Sequence, residues 1–256
     1  MHVSYAELNR IAPEVIRMVG VPFGHADDAV ECFVWTECVL QRGYVLAQMA
    51  EERRAGAWPK PELRSLGREL NVRLDGVPLL LYAGRLCDLA VAEVFGDARV
   101  DCINAAGGFG GWVAPYMAHR LARGGHAAVV AWTSAEPREC PNALAFACGD
   151  ELWLAPIAAF EAIQVPVMPG GMEGPRAGEL RILALPTGLS PHVAIERSCT
   201  QFGLAAESSG RVDPAARLQA AISQGMERDA DQHRAIVKMA ARIRAPASER
   251  SRAQAG

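Results

Sequence analysis

A chain of 256 residues, half of them hydrophobic, can bury a sizeable core as one large domain or two small ones. Its formal net charge is -3, and no basic block stands out before the last quarter. That argues against nucleic acid or an anionic membrane surface as the main partner. No apolar run approaches the ~20 residues needed to span a bilayer.

The opening, MHVSYAELNR, lacks a basic segment followed by an apolar one, so no secretory signal is expected. The seven cysteines (Cys32, Cys38, Cys87, Cys102, Cys140, Cys148 and Cys199) are odd in number and form no Cys-x-x-Cys pair. Reduced thiols in a cytoplasmic protein are the expectation. None of the six histidines pairs at metal-ligand spacing, and no metal is expected.

In chain order, Ser4 and Glu7 form a capping box that predicts a helix from Tyr5. Leu8, Ile11, Val15 and Met18 continue it at helical spacing, and Pro13 is expected to kink or split it. A second helix is predicted over 27–41, burying Val30, Phe33, Val34 and Cys38, and a third over 44–55. Pro59 and Pro61 end this helical section. Beyond it, 72–74 and 79–82 read as strands, 86–95 as a short helix and 100–104 as a strand. A glycine-rich turn at 107–111 leads to a helix over 116–123 and a continuous apolar strand over 127–133. Further strands are read at 144–148, 152–154, 181–185 and 193–196, with a Pro/Gly-rich loop at 166–178. Residues 214–244 read as largely helical, anchored by Leu218, Ile222, Met226, Ile236, Met239 and Ile243.

The plan is mixed α/β. A helical section over 1–62 precedes a mixed α/β body over 63–212. A C-terminal helical section over 213–245 packs back on the N-terminal part, and 246–256 is a polar tail.

Three segments bear on chemistry. NAAGGFGG, residues 104–111, joins a strand to a helix, where backbone N–H groups could approach a phosphate; a tight turn is the competing reading. Its spacing is not Gly-x-Gly-x-x-Gly, which rejects a Rossmann fingerprint. TSAEPR, residues 133–138, places hydroxyls at the end of a buried strand, a good position to meet a ligand, or else forms a solvated loop. In the third, LRILALPTGLSPHVAIERSCT, a strand and a Pro-Thr-Gly turn lead to a second strand carrying His192 and ending at Glu196, Arg197, Ser198 and Thr200. His192 and Glu196 would share one face of that strand, and Glu196 could serve as an acid/base group or merely pair with an arginine.

Taken in order, these segments resemble the malate/L-lactate dehydrogenase family that is unrelated to the Rossmann enzymes and that also includes cyclic-imine and 2-keto-acid reductases. YAELNRIAPEVIRMVGVPFGHADDAVECFVWTE is similar to its opening helix pair. INAAGGFGGWVAPYMAHRLARGGHAAVVAWTSAE is similar to its glycine turn, helix and hydroxyl-ended strand. LRILALPTGLSPHVAIERSC is similar to its Pro-Thr-Gly turn and carboxylate strand, and IRAPASERSRAQAG to its C-terminal segment. The whole chain, especially GVPFGHADD and APASERSR, looks closer still to a group of short bacterial proteins without an assigned reaction.

The resemblance implies that family's fold, a homodimer, NAD or NADP as cofactor and a small carboxylate as ligand. It places the cofactor along Gly108, Gly110, Thr133, Ser134 and Thr187. It assigns the substrate carboxylate to Arg42 or Arg244 and proton chemistry to Glu196, with Tyr44 or His192 replacing a histidine. That histidine belongs to a Ser-His-Gly motif of the family, and the corresponding region here reads LQRGYVLAQ. Glu196 stands where the family has an aspartate. The section after Thr200 is shorter than the family's cofactor-enclosing segment. Two functions therefore stand side by side: a reductase with an altered site, and a cofactor-free protein that binds a metabolite, assists a partner or moves protons without hydride.

Overall fold

The computed structural model describes residues 1–21, 24–94, 102–134, 143–156, 178–185, 190, 193, 196 and 210–243. Thr187, His192 and Arg244 lie outside them, as do the Pro-Thr-Gly turn, most of TSAEPR and the tail. The loop read at 166–178 does as well, save Gly178, which begins a strand.

Helix α1 (Tyr5–Val19) starts where the capping box places it, with Ser4 Oγ accepting from the Glu7 N–H at 3.1 Å. It runs unbroken through Pro13, contrary to the expected split. Six buried apolar residues on both sides of the proline (Leu8, Ile11, Ala12, Val15, Ile16 and Val19) hold it, and their packing outweighs one missing hydrogen bond. Helix α2 (Ala26–Leu40) and helix α3 (Gly43–Glu52) follow. The link between them is tight. A Cβ on Gly43 would stand 2.5 Å from the Phe33 carbonyl oxygen, so glycine is what lets the start of α3 lie on α2.

Strands β2 (Glu62–Leu66) and β3 (Glu69–Arg73) form a hairpin. The segment 79–82 is not a strand but the first turn of helix α4 (Leu79–Leu89), which continues into one π-helical turn, Ala90–Val94. Four apolar residues in a row look strand-like. Every residue from Leu79 to Gly84 is buried, so burial there has no period of its own, and an apolar run of this kind fits a buried helix as well as a strand.

Strand β4 (Cys102–Gly108), helix α5 (Ala114–Arg123), β5 (Ala127–Thr133), β6 (Ala143–Cys148), β7 (Glu151–Pro156), β8 (Gly178–Leu185) and β9 (Gly210–Val212) build the body. The eight-stranded sheet runs β2-β3-β4-β8-β5-β6-β7-β9. It is antiparallel except where β3 pairs parallel with β4. Its centre is buried on both faces, which is why β5 reads AAVVAWT without alternation. One face carries Ile103, Val130, Trp132 and Ile182 into the helical layer; the other carries Val129, Ala131, Leu144, Phe146 and Leu183.

The region 214–244 divides into helix α6 (Pro214–Gln224) and helix α7 (Ala230–Ile243). Asp213 caps α6 by accepting from the Ala216 N–H at 2.9 Å. Between the two helices, β10 (Met226–Glu227) pairs with β1 (His2–Val3) in a separate two-stranded ribbon. Helix α7 packs on α1 and α3.

Val193 and Glu196 are exposed helical residues, not strand residues as expected. Ser190 bears on the difference: its Oγ accepts from the Val193 N–H at 3.4 Å, as a helix-capping side chain does. Among the described residues no helix is long and apolar enough to cross a membrane, and no group of His, Cys, Asp and Glu could hold a metal ion.

Candidate functional site

The sequence candidates fall into three places. The first is the junction of α2 and α3. Arg42 is exposed just before α3, with its guanidinium 4.9 Å from the centroid of the Trp112 ring. A guanidinium laid on an aromatic face is pre-oriented and keeps its charge toward solvent, which suits capture of a carboxylate.

Tyr44, two residues on, points inward. It is 1 % exposed, and its hydroxyl lies 2.9 Å from His233 Nδ1, while His233 Nε2 lies 3.3 Å from Glu7 Oε1. With the carboxylate facing Nε2, that nitrogen carries the proton and Nδ1 accepts from the tyrosine. Burial, reinforced by the Glu37 carboxylate, pushes the Tyr44 phenol above its ordinary range. The group is thus a held hydrogen-bond donor, not a phenolate.

Beside it, Glu37 forms an ion pair with the Arg228 guanidinium, the two side chains being only 1 % and 4 % exposed. The second Glu37 oxygen accepts from the Tyr44 N–H at 3.0 Å, where the N-terminal end of α3 favours an anion. Arg228 also donates to the Glu37 carbonyl at 2.9 Å and to the Glu227 carbonyl at 2.7 Å. Glu37, Tyr44, Arg228 and His233 therefore form one buried polar network, with the half-buried Glu7 at its edge, binding the C-terminal helices to the N-terminal ones. Among them the sequence singled out Tyr44 as a site candidate and Glu7 only as a helix cap. Two signals were present: a glutamate inside the apolar run CFVWTECVL, and a histidine three residues before Ile236, at the spacing of the buried face of α7.

The second place is the glycine turn. Gly110 takes a positive φ of 87°. Gly108 and Gly111 are needed for a different reason. A Cβ on Gly108 would fall 2.6 Å from Leu74, and one on Gly111 1.8 Å from the Trp132 indole nitrogen. The space left by the missing side chains is filled by the protein itself. Behind Gly111 only an apolar cavity of about 30 Å³ remains, lined by residues such as Trp112, Pro115, Trp132 and Ala145. The turn thus uses Gly108 and Gly111 for internal packing. Its carbonyls are also engaged: Gly107 and Phe109 accept from the Gly76 and Leu79 N–H groups at 2.6 and 2.9 Å.

The third place is the end of β5. Thr133 and Ser134 are half-buried there, and the Thr133 hydroxyl donates to the Glu179 carbonyl at 3.5 Å. They lie at the same end of the sheet as the β4 glycines, since Gly178 of β8 pairs with Gly108 and Glu179 with Thr133. Glu196 is exposed.

No family model matches the sequence, and no curated protein matches it either. Solved structures do. Malate dehydrogenase from Pyrococcus horikoshii OT3 matches over 95% of both chains at 12% identity, with a TM-score of 0.63. A dehydrogenase from Sinorhizobium meliloti matches over 94% of this chain and 99% of its own at 15% identity, TM-score 0.62. Sulfolactate dehydrogenase from Methanocaldococcus jannaschii matches over 95% and 97% at 11% identity, TM-score 0.58. The mixed eight-stranded sheet with its helical flanks is accordingly the malate/L-lactate dehydrogenase type of fold.

Proposed function

We propose that this protein is an oxidoreductase acting on a small 2-keto acid, 2-hydroxy acid or cyclic imine, with NAD or NADP as cofactor and an altered site. The observation that carries the reading is the near-complete overlap of its fold with dehydrogenase folds, 95% of each chain in one case. Fold alone is an analogy, so the residues must bear the rest.

Arg42, held on Trp112, takes the substrate carboxylate. A ligand lying across the end of β5 meets Thr133 and Ser134, with Thr187 and Gly110 as the remaining cofactor contacts. Glu196 supplies or orients the proton, with His192 as its neighbour in sequence. Arg244 is the second candidate for the carboxylate. The protein acts as a homodimer in the cytoplasm.

A second reading has its own support: a cofactor-free protein that binds a small carboxylate. Gly108 and Gly111 are occupied by internal packing, and Tyr44 is committed to His233, so two parts of the dehydrogenase-like site are used to hold the structure together.

Titration with NADH and with NADPH, read as energy transfer from the five tryptophans, separates the two. Saturable micromolar binding of either is expected for the reductase, and turnover of keto acids or imines should then follow. No binding up to millimolar concentration overturns it in favour of the cofactor-free protein.

A further inference from the structure

Trp132, near the end of β5, is 1 % exposed, and among the described residues its indole Nε1 has no hydrogen-bond partner. An indole N–H is a donor only, and a buried tryptophan ordinarily finds an acceptor for it. Left unmatched, the group bears the full cost of its desolvation.

The ring cannot swing to another acceptor, because two glycines grip it. A Cβ on Gly111 would fall 1.8 Å from Nε1, and one on Gly178 would fall 2.4 Å from Cζ2 of the six-membered ring. The polar edge of the indole therefore faces Gly111. Gly111 and Trp132 both line the cavity of about 30 Å³ behind the glycine turn. Pro115, Ala143, Ala145 and Leu154 make the rest of its wall apolar. Ala143 and Leu154 are only half-buried, which leaves a way in on that side.

The space is about twice what one water molecule requires. A resident water makes about three hydrogen bonds, and this wall supplies one. The carbonyls that could serve it are engaged: Gly111 accepts from the Ala114 N–H, and Ala143 and Ala145 lie in a strand paired on both sides. What suits the space and Nε1 together is a compact apolar group of about three or four heavy atoms with one acceptor oxygen. A donor or a charge on that group would be buried without a partner.

We propose that this cavity binds a small neutral ketone or aldehyde, with its carbonyl oxygen on Trp132 Nε1 and its alkyl part against Pro115, Ala145 and Leu154. Acetone is the probe. Acetamide has nearly the same shape but brings two N–H donors, and acetate brings a charge.

The intact protein, labelled with ¹⁵N in its five tryptophans, is titrated and followed by the indole N–H resonances. The Trp132 resonance is the one missing from Trp132→Phe. Acetone should move it downfield and saturably, with a Kd of about 1–10 mM, and leave those of Trp35, Trp58 and Trp153 in place. Acetamide and acetate should bind at least about tenfold more weakly. Ala145→Val puts two methyl groups into the cavity and should abolish the shift. Its melting temperature should be unchanged or higher; should it fail to fold, Leu154→Phe closes the cavity from the half-buried side and gives the same reading. No saturable shift up to about 100 mM, an equal shift with acetamide, or a shift that survives filling of the cavity overturns the proposal. NADH and NADPH take no part, so it stands or falls separately from the reductase reading.

Discussion

Glu37 and Arg228 are 191 residues apart in the chain, and their side chains are almost wholly removed from water. Removing one partner strands the other's charge in the core. Glu37→Gln should therefore cost about 3–5 kcal/mol in urea unfolding, whereas the double replacement Glu37→Gln with Arg228→Met should recover much of it. His119 offers a second test. Its ring stacks on Trp35 at 5.4 Å, and burial, aided by Arg123, lowers its pKa below the ordinary 6.5. The unfolded chain then binds a proton that the folded chain refuses. Stability falls as pH drops through 6.5 toward the depressed value. In His119→Phe the decline of the urea midpoint between about pH 7 and 5 should be shallower; an identical slope would remove His119 from the acid response.

At the level of elements, the glycine turn shows how one sequence feature serves packing where phosphate binding was the alternative. Gly111→Ala would drive a methyl into Trp132, and an overpacking cost of about 1–3 kcal/mol is expected, read as a lower melting temperature with altered tryptophan emission. What the sequence could show here was uneven for identifiable reasons. Helix α1 was legible from Ser4 and Glu7, because capping is local chemistry. Strand β5 was legible because its first six residues, Ala127 to Trp132, are buried and leave no room for polar ones. The start of α4 was not, since a continuously buried apolar run such as LLLY fits a strand as well as a helix. The helical setting of Glu196 was not legible, since VAIE reads as an apolar strand and the Ser190 hydroxyl that accepts from the Val193 N–H leaves no mark in that pattern.

Across the whole molecule, the dehydrogenase type of fold could be read from ordered local segments, and the comparison with solved structures agrees with it. The candidate site could not be read as well. Its polar network depends on contacts such as Tyr44 to His233 and Glu7 to His233, which join positions far apart in the chain and have no local trace.

The ribbon of β1 and β10 bears on how the chain reaches this fold during synthesis. Val3 pairs with Met226, so the first strand has no partner until more than two hundred later residues have been made. At a ribosomal rate of ~5–20 residues per second that delay is roughly 10–45 s. Through it, the Glu37 carboxylate waits for Arg228 and the buried face of α1 waits for α7. The N-terminal helices would spend that interval with apolar surface uncovered, and nascent chains stopped short of residue 226 should be the form that chaperones hold and proteases cut.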